Sequence, residues 1–176
     1  MKIKTKDIEK AFGIKLRKHV TALGLDTASK SGYCIAQSKE NIVDIEVGFI
    51  NVDVSKIEDK TERDALRYEE IYKRLKNLIQ KDYIVVIEHV YYGGNAQTLI
   101  LLSKIGAIAW TIAREKECVD IIASKTAVQA RKALGLPCNK KKEVVTVAFK
   151  KALKIKINNP DEIDAIILAL VGLIEE

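Results

Sequence analysis

The order in which apolar residues change their spacing constrains this chain's fold more than any other feature. Val20–Asp26 gathers Val20, Ala22, Leu23 and Leu25 and ends at an acid, Gly32–Gln37 alternates weakly, and Ile42–Val52 sets seven apolar residues among polar ones. Only tight turns separate these runs, so they predict three antiparallel strands in a meander. From Thr61 to Gln80 the spacing becomes helical through Leu66, Ile71, Leu75 and Leu78, with Thr61 as the expected N-cap. Tyr83–Ile87 is unbroken and apolar, the pattern of a central strand covered on both faces. A long helix over Asn95–Glu115, a short strand at Val119–Ile122 and two basic helices near Ser124–Leu134 and Lys140–Lys154 follow, the last two split by Gly135-Leu136-Pro137. The final helix opens at Asn159-Pro160, a capping residue followed by proline at the first helical position. The sequence therefore predicts an α/β fold: a five-stranded mixed sheet, three antiparallel strands then two parallel, with helices on both faces. Residues 1–18 are expected to form a separate basic helical extension, leaving 19–176 as the domain.

At 176 residues the chain is long enough to bury a core without disulfides or structural metal. Met1–Val20 is too charged for a secretory signal. The apolar stretch Leu99–Ala113 is interrupted by Ser103, Lys104 and Thr111 and reads as too short for a membrane span. Cys34, Cys118 and Cys138 are an odd set without CxxC spacing, which predicts reduced thiols in a cytoplasmic, intracellular protein. Two histidines and three scattered thiols do not make a zinc site. Any metal chemistry must then run on carboxylates.

Charge is unevenly spread. From Gln37 to Glu70 acids outnumber Lys and Arg ten to five, whereas Ala123–Ile157 holds ten Lys/Arg against one acid. A basic stretch that dense is the expected footprint of phosphate contacts, and also what a solvated helix face can look like. The acids are more telling. Asp26 ends the first predicted strand and Glu88 the buried one. If the two strands are neighbours, their carboxylates repel at one rim of the sheet unless a cation intervenes, and such hard oxygen donors suit Mg²⁺ or Mn²⁺. Asp161 and Asp164 are three residues apart in the first turn of the last helix and share a face, with Glu162 about 100° away. Asp161 also suits the helix dipole, and Asp164, beside an apolar run, needs a partner if buried.

These motifs resemble, in register and in order, those of RuvC-type Holliday-junction resolvases of the RNase H-like nuclease superfamily. The first is Asp26-Thr27-Ala28-Ser29-Lys30-Ser31-Gly32-Tyr33, with Thr27-Ala28 where the family has Pro-Gly. The second is Ile87-Glu88-His89-Val90-Tyr91-Tyr92-Gly93-Gly94-Asn95-Ala96, and the third Asp161-Glu162-Ile163-Asp164-Ala165-Ile166-Ile167-Leu168-Ala169. The resemblance spans about residues 19–174. It implies an RNase H-like fold and a Mg²⁺-dependent endodeoxyribonuclease that nicks four-way DNA junctions in pairs. It further implies Asp26, Glu88, Asp161 and Asp164 as catalytic ligands of two Mg²⁺ ions per site, with Mn²⁺ as a substitute.

The resemblance also points to DNA contacts at Tyr91, three residues past Glu88, and at the basic cluster Lys140, Lys141 and Lys142, with Arg131 and Lys132 alongside. Such lysines position phosphate and do not read sequence. His89, next to Glu88, reads as structural. The helix over 95–115 is apolar nearly all round, more than one sheet face requires, so a homodimer built on it is expected, to act on two strands of one junction. No membrane and no nucleotide cofactor are expected, since one domain cannot form the two-domain nucleotide cleft of actin-like ATPases. The alternative substrate is another branched DNA or an RNA–DNA hybrid.

Overall fold

The computed structural model describes residues 1–28, 30–90, 95–138 and 140–175, with the backbone alone at 122–125. Its strands are β1 (Lys2–Lys4), β2 (Thr21–Asp26), β3 (Ser31–Ser38), β4 (Ile42–Ile50), β5 (Tyr83–Glu88) and β6 (Asp120–Lys125), and they form one sheet in the order β1-β4-β3-β2-β5-β6. The meander β2-β3-β4 is antiparallel, and β5 and β6 add to β2 in parallel. That is the expected mixed sheet, with six strands instead of five.

The extra strand corrects the reading of the N-terminus. Lys2, Ile3 and Lys4 pair antiparallel with Asp44, Val43 and Ile42. Ile3 buries its side chain while the lysines on either side face water, a charged edge of the kind that discourages further strand addition. Helix α1 (Thr5–Phe12) follows, with Ile8 fully buried and Phe12 stacked on Phe149 at 5.5 Å. Residues 1–18 are thus packed into the sheet and its core, not held apart from them.

The sheet divides two apolar layers. On one face α2 (Lys60–Leu78) and α3 (Ala96–Glu115) bury Ile71, Leu75, Ile105 and Ile112 against Leu23, Leu25, Val85 and Ile87. On the other, α1, α4 (Ala127–Ala133), α5 (Lys142–Leu153) and α6 (Pro160–Gly172) cover Ala22, Cys34, Ala36, Ile84 and Val86. Helix α6 is buried almost throughout, from Ile163 to Leu173, and lies across β2, β3 and β5.

Several expected boundaries shift for identifiable reasons. Helix α2 starts close to the expected point, but the Asp59 carboxylate, and not Thr61, caps it by accepting the Glu62 N–H at 2.7 Å. The region around Ser124, expected to open a helix, is the end of β6; Thr126 then caps α4 through a reciprocal box with Gln129. Helix α5 begins at Lys142 and not at Lys140. Helix α3 is long and apolar enough to cross a membrane by length and composition, against the sequence expectation. In this fold it lies on the sheet through Ile105, Ala109, Ile112 and Ala113, and leaves Ile100 and Trp110 exposed.

Candidate active site

The site forms where β2 and β5 end. These strands pair in parallel with Leu25 opposite Ile87, so the acids that follow each of them are neighbours at one rim. Side chains alternate across a sheet. Leu23, Leu25, Val85 and Ile87 face α2 and α3, and so Asp26 and Glu88, in step with Ala22, Ile84 and Val86, face α6. The backbone of α6 comes close because small residues admit it. A Cβ at Gly24 would stand 2.3 Å from the Ala165 carbonyl oxygen, and one at Gly32 would stand 3.0 Å from the Asp161 carbonyl oxygen. Neither strand could carry a larger side chain there without pushing the first turns of α6 away. Asn159 caps that helix by accepting the Asp161 N–H at 3.0 Å, and Pro160 occupies the first helical position, as the sequence predicts. The result is that Asp161 and Asp164 project over the rim beside Asp26.

The turn after Asp26 lacks the proline and glycine of the resemblance. Ser31 compensates in part, because its hydroxyl donates to the Ala28 carbonyl at 2.8 Å and accepts the Ala28 N–H at 3.3 Å. These bonds tie the end of β2 to the start of β3 without a residue of special backbone freedom.

Lys142, the first residue of α5, reaches into the centre of the cluster. Its Nζ lies 3.0 Å from Asp161 Oδ1, 3.1 Å from Asp164 Oδ2 and 3.5 Å from Asp26 Oδ2. Burial works against this ammonium, but the Asp26 and Asp164 charges and its hydrogen bonds to Asp161 and Asp164 outweigh it and hold its pKa above the usual lysine value. Glu88 responds in the opposite way. Burial foremost, then the neighbouring Asp26 carboxyl, pushes it up to about 9, with only partial relief from Lys142. With no more positive charge than Lys142 supplies, the rim keeps a proton on Glu88.

Arg131 differs from the sequence reading. It was expected among the DNA-contacting basic residues, but its side chain is buried and grips Asp164: Nε and Nη2 donate to Oδ1 at 3.2 and 2.9 Å, and Nη2 to Oδ2 at 2.9 Å. A guanidinium so enclosed and so occupied is not available to a phosphate. It supplies the partner that a buried Asp164 requires. A signal for this exists in the sequence. Arg131 falls at i+4 from Ala127, beside buried Ala130 and one turn before buried Leu134, and so belongs to the core-facing stripe of α4.

The remaining expected residues divide clearly. Lys132, Lys140 and Lys141 are exposed, as phosphate contacts need to be. Tyr91 lies outside the described residues. His89 is exposed and has no part in the carboxylate cluster. The cysteines Cys34, Cys118 and Cys138 are free.

The donor set fits divalent cations. All four acidic side chains offer hard oxygens, the buried Oδ2 of Asp26 has no hydrogen-bond partner among the described residues, and a monovalent cation, the Lys142 ammonium, already sits between three of the carboxylates. Among the described residues no group of three acidic, histidine or cysteine side chains is closed up tightly enough to hold an ion as it stands. The Lys142 ammonium takes up the shared space.

Comparison with known proteins points to one family and one fold. The family model described as Crossover junction endodeoxyribonuclease RuvC matches residues 22–172. Among solved structures, Thermus thermophilus RuvC superposes with a TM-score of 0.66 at 14% identity, covering 89% of this chain and 99% of that one. T. thermophilus RuvC in complex with a Holliday junction substrate gives 0.65 at 14% identity, covering 86% of this chain and 91% of that one. At that identity the likeness is one of fold. No curated protein sequence matches.

Proposed function

The chain belongs to the RuvC family, the crossover junction endodeoxyribonucleases, and on that premise we propose that it resolves four-way DNA junctions by paired, metal-assisted nicking at the rim cluster of Asp26, Glu88, Asp161 and Asp164. The observation that carries this reading is Lys142. A positive charge seated 3.0–3.5 Å from carboxylates on β2 and α6 supports the reading that this rim takes cations.

Nucleases of this family are metal-dependent. Asp26, Glu88, Asp161 and Asp164 are the residues that would hold two divalent cations, Mg²⁺ or Mn²⁺. The chemistry such cations supply when bound is activation of water for in-line attack and stabilisation of the leaving oxygen. The protein's own contribution is positional. Arg131 fixes Asp164 through both carboxylate oxygens, while Oδ2 also meets the Lys142 ammonium at 3.1 Å. Glu88, which holds its proton through burial and the neighbouring Asp26 carboxyl, would release it as positive charge enters and stand beside Asp26 as a second ligand. Lys142, once displaced, is placed to neutralise the phosphodiester, with Lys140, Lys141 and Lys132 along the adjoining backbone. None of these groups is a histidine base, in keeping with the exposed position of His89.

A homodimer completes the proposal. Ile100 and Trp110 on α3 are 54% and 47% exposed, a large apolar surface for a helix that already packs on the sheet. Pairing two copies across it gives two active sites related by a two-fold axis. The test is cleavage of a synthetic mobile four-way junction in Mg²⁺ beside duplex, flap and RNA–DNA hybrid controls. Junction-selective nicking is expected; equal or better cleavage of the hybrid would overturn the substrate assignment.

A further inference from the structure

Helix α5 leaves the rim carrying an outward stripe that the carboxylate site does not use. Its Val145, Phe149 and Leu153 are buried, while Val144, Val147 and Lys151 stand on the opposite face at positions i, i+3 and i+7. The two valines are 47% and 66% exposed, where a solvated helix face would carry polar side chains. Exposed lysines bracket them, Lys140 and Lys141 at the rim end and Lys151 with the C-cap Lys154 at the other. The helix between them is twelve residues long, which separates its ends by about 18 Å. The stripe runs on into the N-terminal segment. Phe12 stacks on Phe149, so the end of α1 and the connection after it lie beside the last turns of α5 and add Lys10 and Lys15, both exposed. The family model matches residues 22–172, so β1 and α1 bring these two cations from outside the matched span. Charge at this corner is left uncompensated. Among the described residues Lys10, Lys15, Lys151 and Lys154 take part in no ion pair, whereas Lys73 on α2 is paired with Glu69 and Glu70. The acids of α1 are Asp7 and Glu9, and the Glu9 carboxylate already accepts the Leu16 N–H at 3.1 Å.

We infer that α5 and the N-terminal segment form a track for the duplex arm that leads away from the scissile phosphate, with Lys10, Lys15, Lys151 and Lys154 on its backbone. The inference rests on the junction-cleaving reading of the rim. Unpaired lysines in a row are the electrostatic footprint of phosphates, and this row begins at the rim itself. With two copies paired across α3, on the other face of the sheet, an arm leaving the central crossover passes the rim. It then continues over the face that carries α5 and α1. A DNA strand advances about 3.4 Å per nucleotide, so the far end of α5 meets phosphates about five base pairs beyond the nick. The lysines of the N-terminal segment meet those further out. Val144 and Val147 lie between the two groups of lysines, where the helix passes from one run of phosphates to the next and touches deoxyribose carbons. Contacts to phosphate and sugar hold an arm in register without reading its sequence. The track would therefore favour substrates that keep a full duplex arm beside the nick.

The experiment measures junction binding by anisotropy in Ca²⁺ over a range of salt, with uncharged methylphosphonate linkages placed in blocks along one arm. The proteins are wild type, the double variants Lys151→Gln with Lys154→Gln and Lys10→Gln with Lys15→Gln, and the control Lys73→Gln on the other face. Each double variant should bind the unmodified junction about two- to thirtyfold more weakly, the range that two exposed ion pairs supply. Each should also flatten the log–log salt slope by about two units. Lys73→Gln should match wild type in both. Neutral linkages about five base pairs from the nick should weaken wild type and leave the Lys151→Gln, Lys154→Gln protein almost unaffected, because the contact they remove is already gone. Double variants with wild-type affinity and slope, or with a wild-type response to every neutral block, would overturn the track. Cleavage of the unmodified junction by wild type in Mg²⁺ keeps the two readings apart. Cutting without any effect of the four lysines on binding would remove the track alone, and lysine-dependent binding without cutting would remove the junction-cleaving reading on which it rests.

Discussion

Replacing Lys142 by Met should tighten divalent-cation binding while weakening cleavage, an unusual pairing that follows from where the ammonium sits. At 3.0–3.5 Å from three carboxylates, each contact is worth about 1 kcal/mol at the dielectric of water and several times that in a dry site. The Lys142 side chain is 44% exposed, so the wet end of that range applies, roughly 3 kcal/mol for the three together. An incoming cation must displace that attraction in wild type and need not in Lys142→Met. The variant's dissociation constant for Mg²⁺ or Mn²⁺ should fall by about ten- to a hundredfold, the equivalent of about 1.4–2.7 kcal/mol. Its metal-free form should suffer, because Asp26 and Asp161 then lose their countercharge and Asp164 keeps only that of Arg131. A loss of about 2–3 kcal/mol corresponds to about 5–10 °C in Tm for a chain of this size, recovered on adding Mg²⁺. The assay is isothermal titration with Mn²⁺ in the absence of DNA, with melting curves in EDTA and in Mg²⁺, and exposed Lys141→Met as control. Unchanged or weaker binding in Lys142→Met would refute the reasoning, since it would mean that the ammonium supports the ion's ligands instead of occupying the ion's place.

Arg131→Met should strand a buried Asp164 and lower stability by about 3–5 kcal/mol; Arg131→Lys, which keeps charge but not the forked geometry, should retain the fold and lose cleavage, with junction affinity by anisotropy unchanged in contrast to a phosphate-contact variant. Asp26→Asn should abolish nicking and leave junction binding intact or tighter, and Asp164→Asn should cost far more activity than Glu162→Gln; a critical Glu162 would show that the face of α6 is misassigned. Glu88, raised from 4.5 to about 9, binds a proton in the folded protein that the unfolded chain releases across that window, so its contribution makes the metal-free protein less stable as pH rises from 4.5 towards 9. Denaturant melts in EDTA over that range should show the decline, and Glu88→Gln should flatten it; a stability that instead rose with pH and ignored the substitution would contradict the charge balance at the rim.

Much of this site is written in local pattern. Strand ends at Asp26 and Glu88 are legible because an apolar run stops at an acid, and the capped, proline-started α6 fixes which of its acids share a face. The parallel pairing that makes the two strand ends neighbours follows from the change between meander and alternating helix and strand. What escaped the sequence is mostly long-range. The edge strand at Lys2–Lys4 offers one apolar residue between two lysines, too short for any period to register, and its place is set by pairing with β4 about forty residues away. Arg131 reads as one more cation in a basic stretch until α4 is docked, when its carboxylate partner thirty-three residues on decides its role. Lys142 stands out from Lys140 and Lys141 only because α5 starts there, which turns one of three equivalent-looking lysines into the rim.

Supercoiled plasmid carrying an extruded cruciform tests the central claim most directly, because paired nicks linearise it and single nicks merely relax it. Wild-type protein in Mg²⁺ should yield linear DNA as the main early product, EDTA should stop the reaction, and mixing in Asp26→Asn subunits should shift the product towards nicked circles as heterodimers form. Relaxed circles as the dominant wild-type product, or linearisation that persists in EDTA, would contradict paired, metal-assisted cleavage at the carboxylate rim.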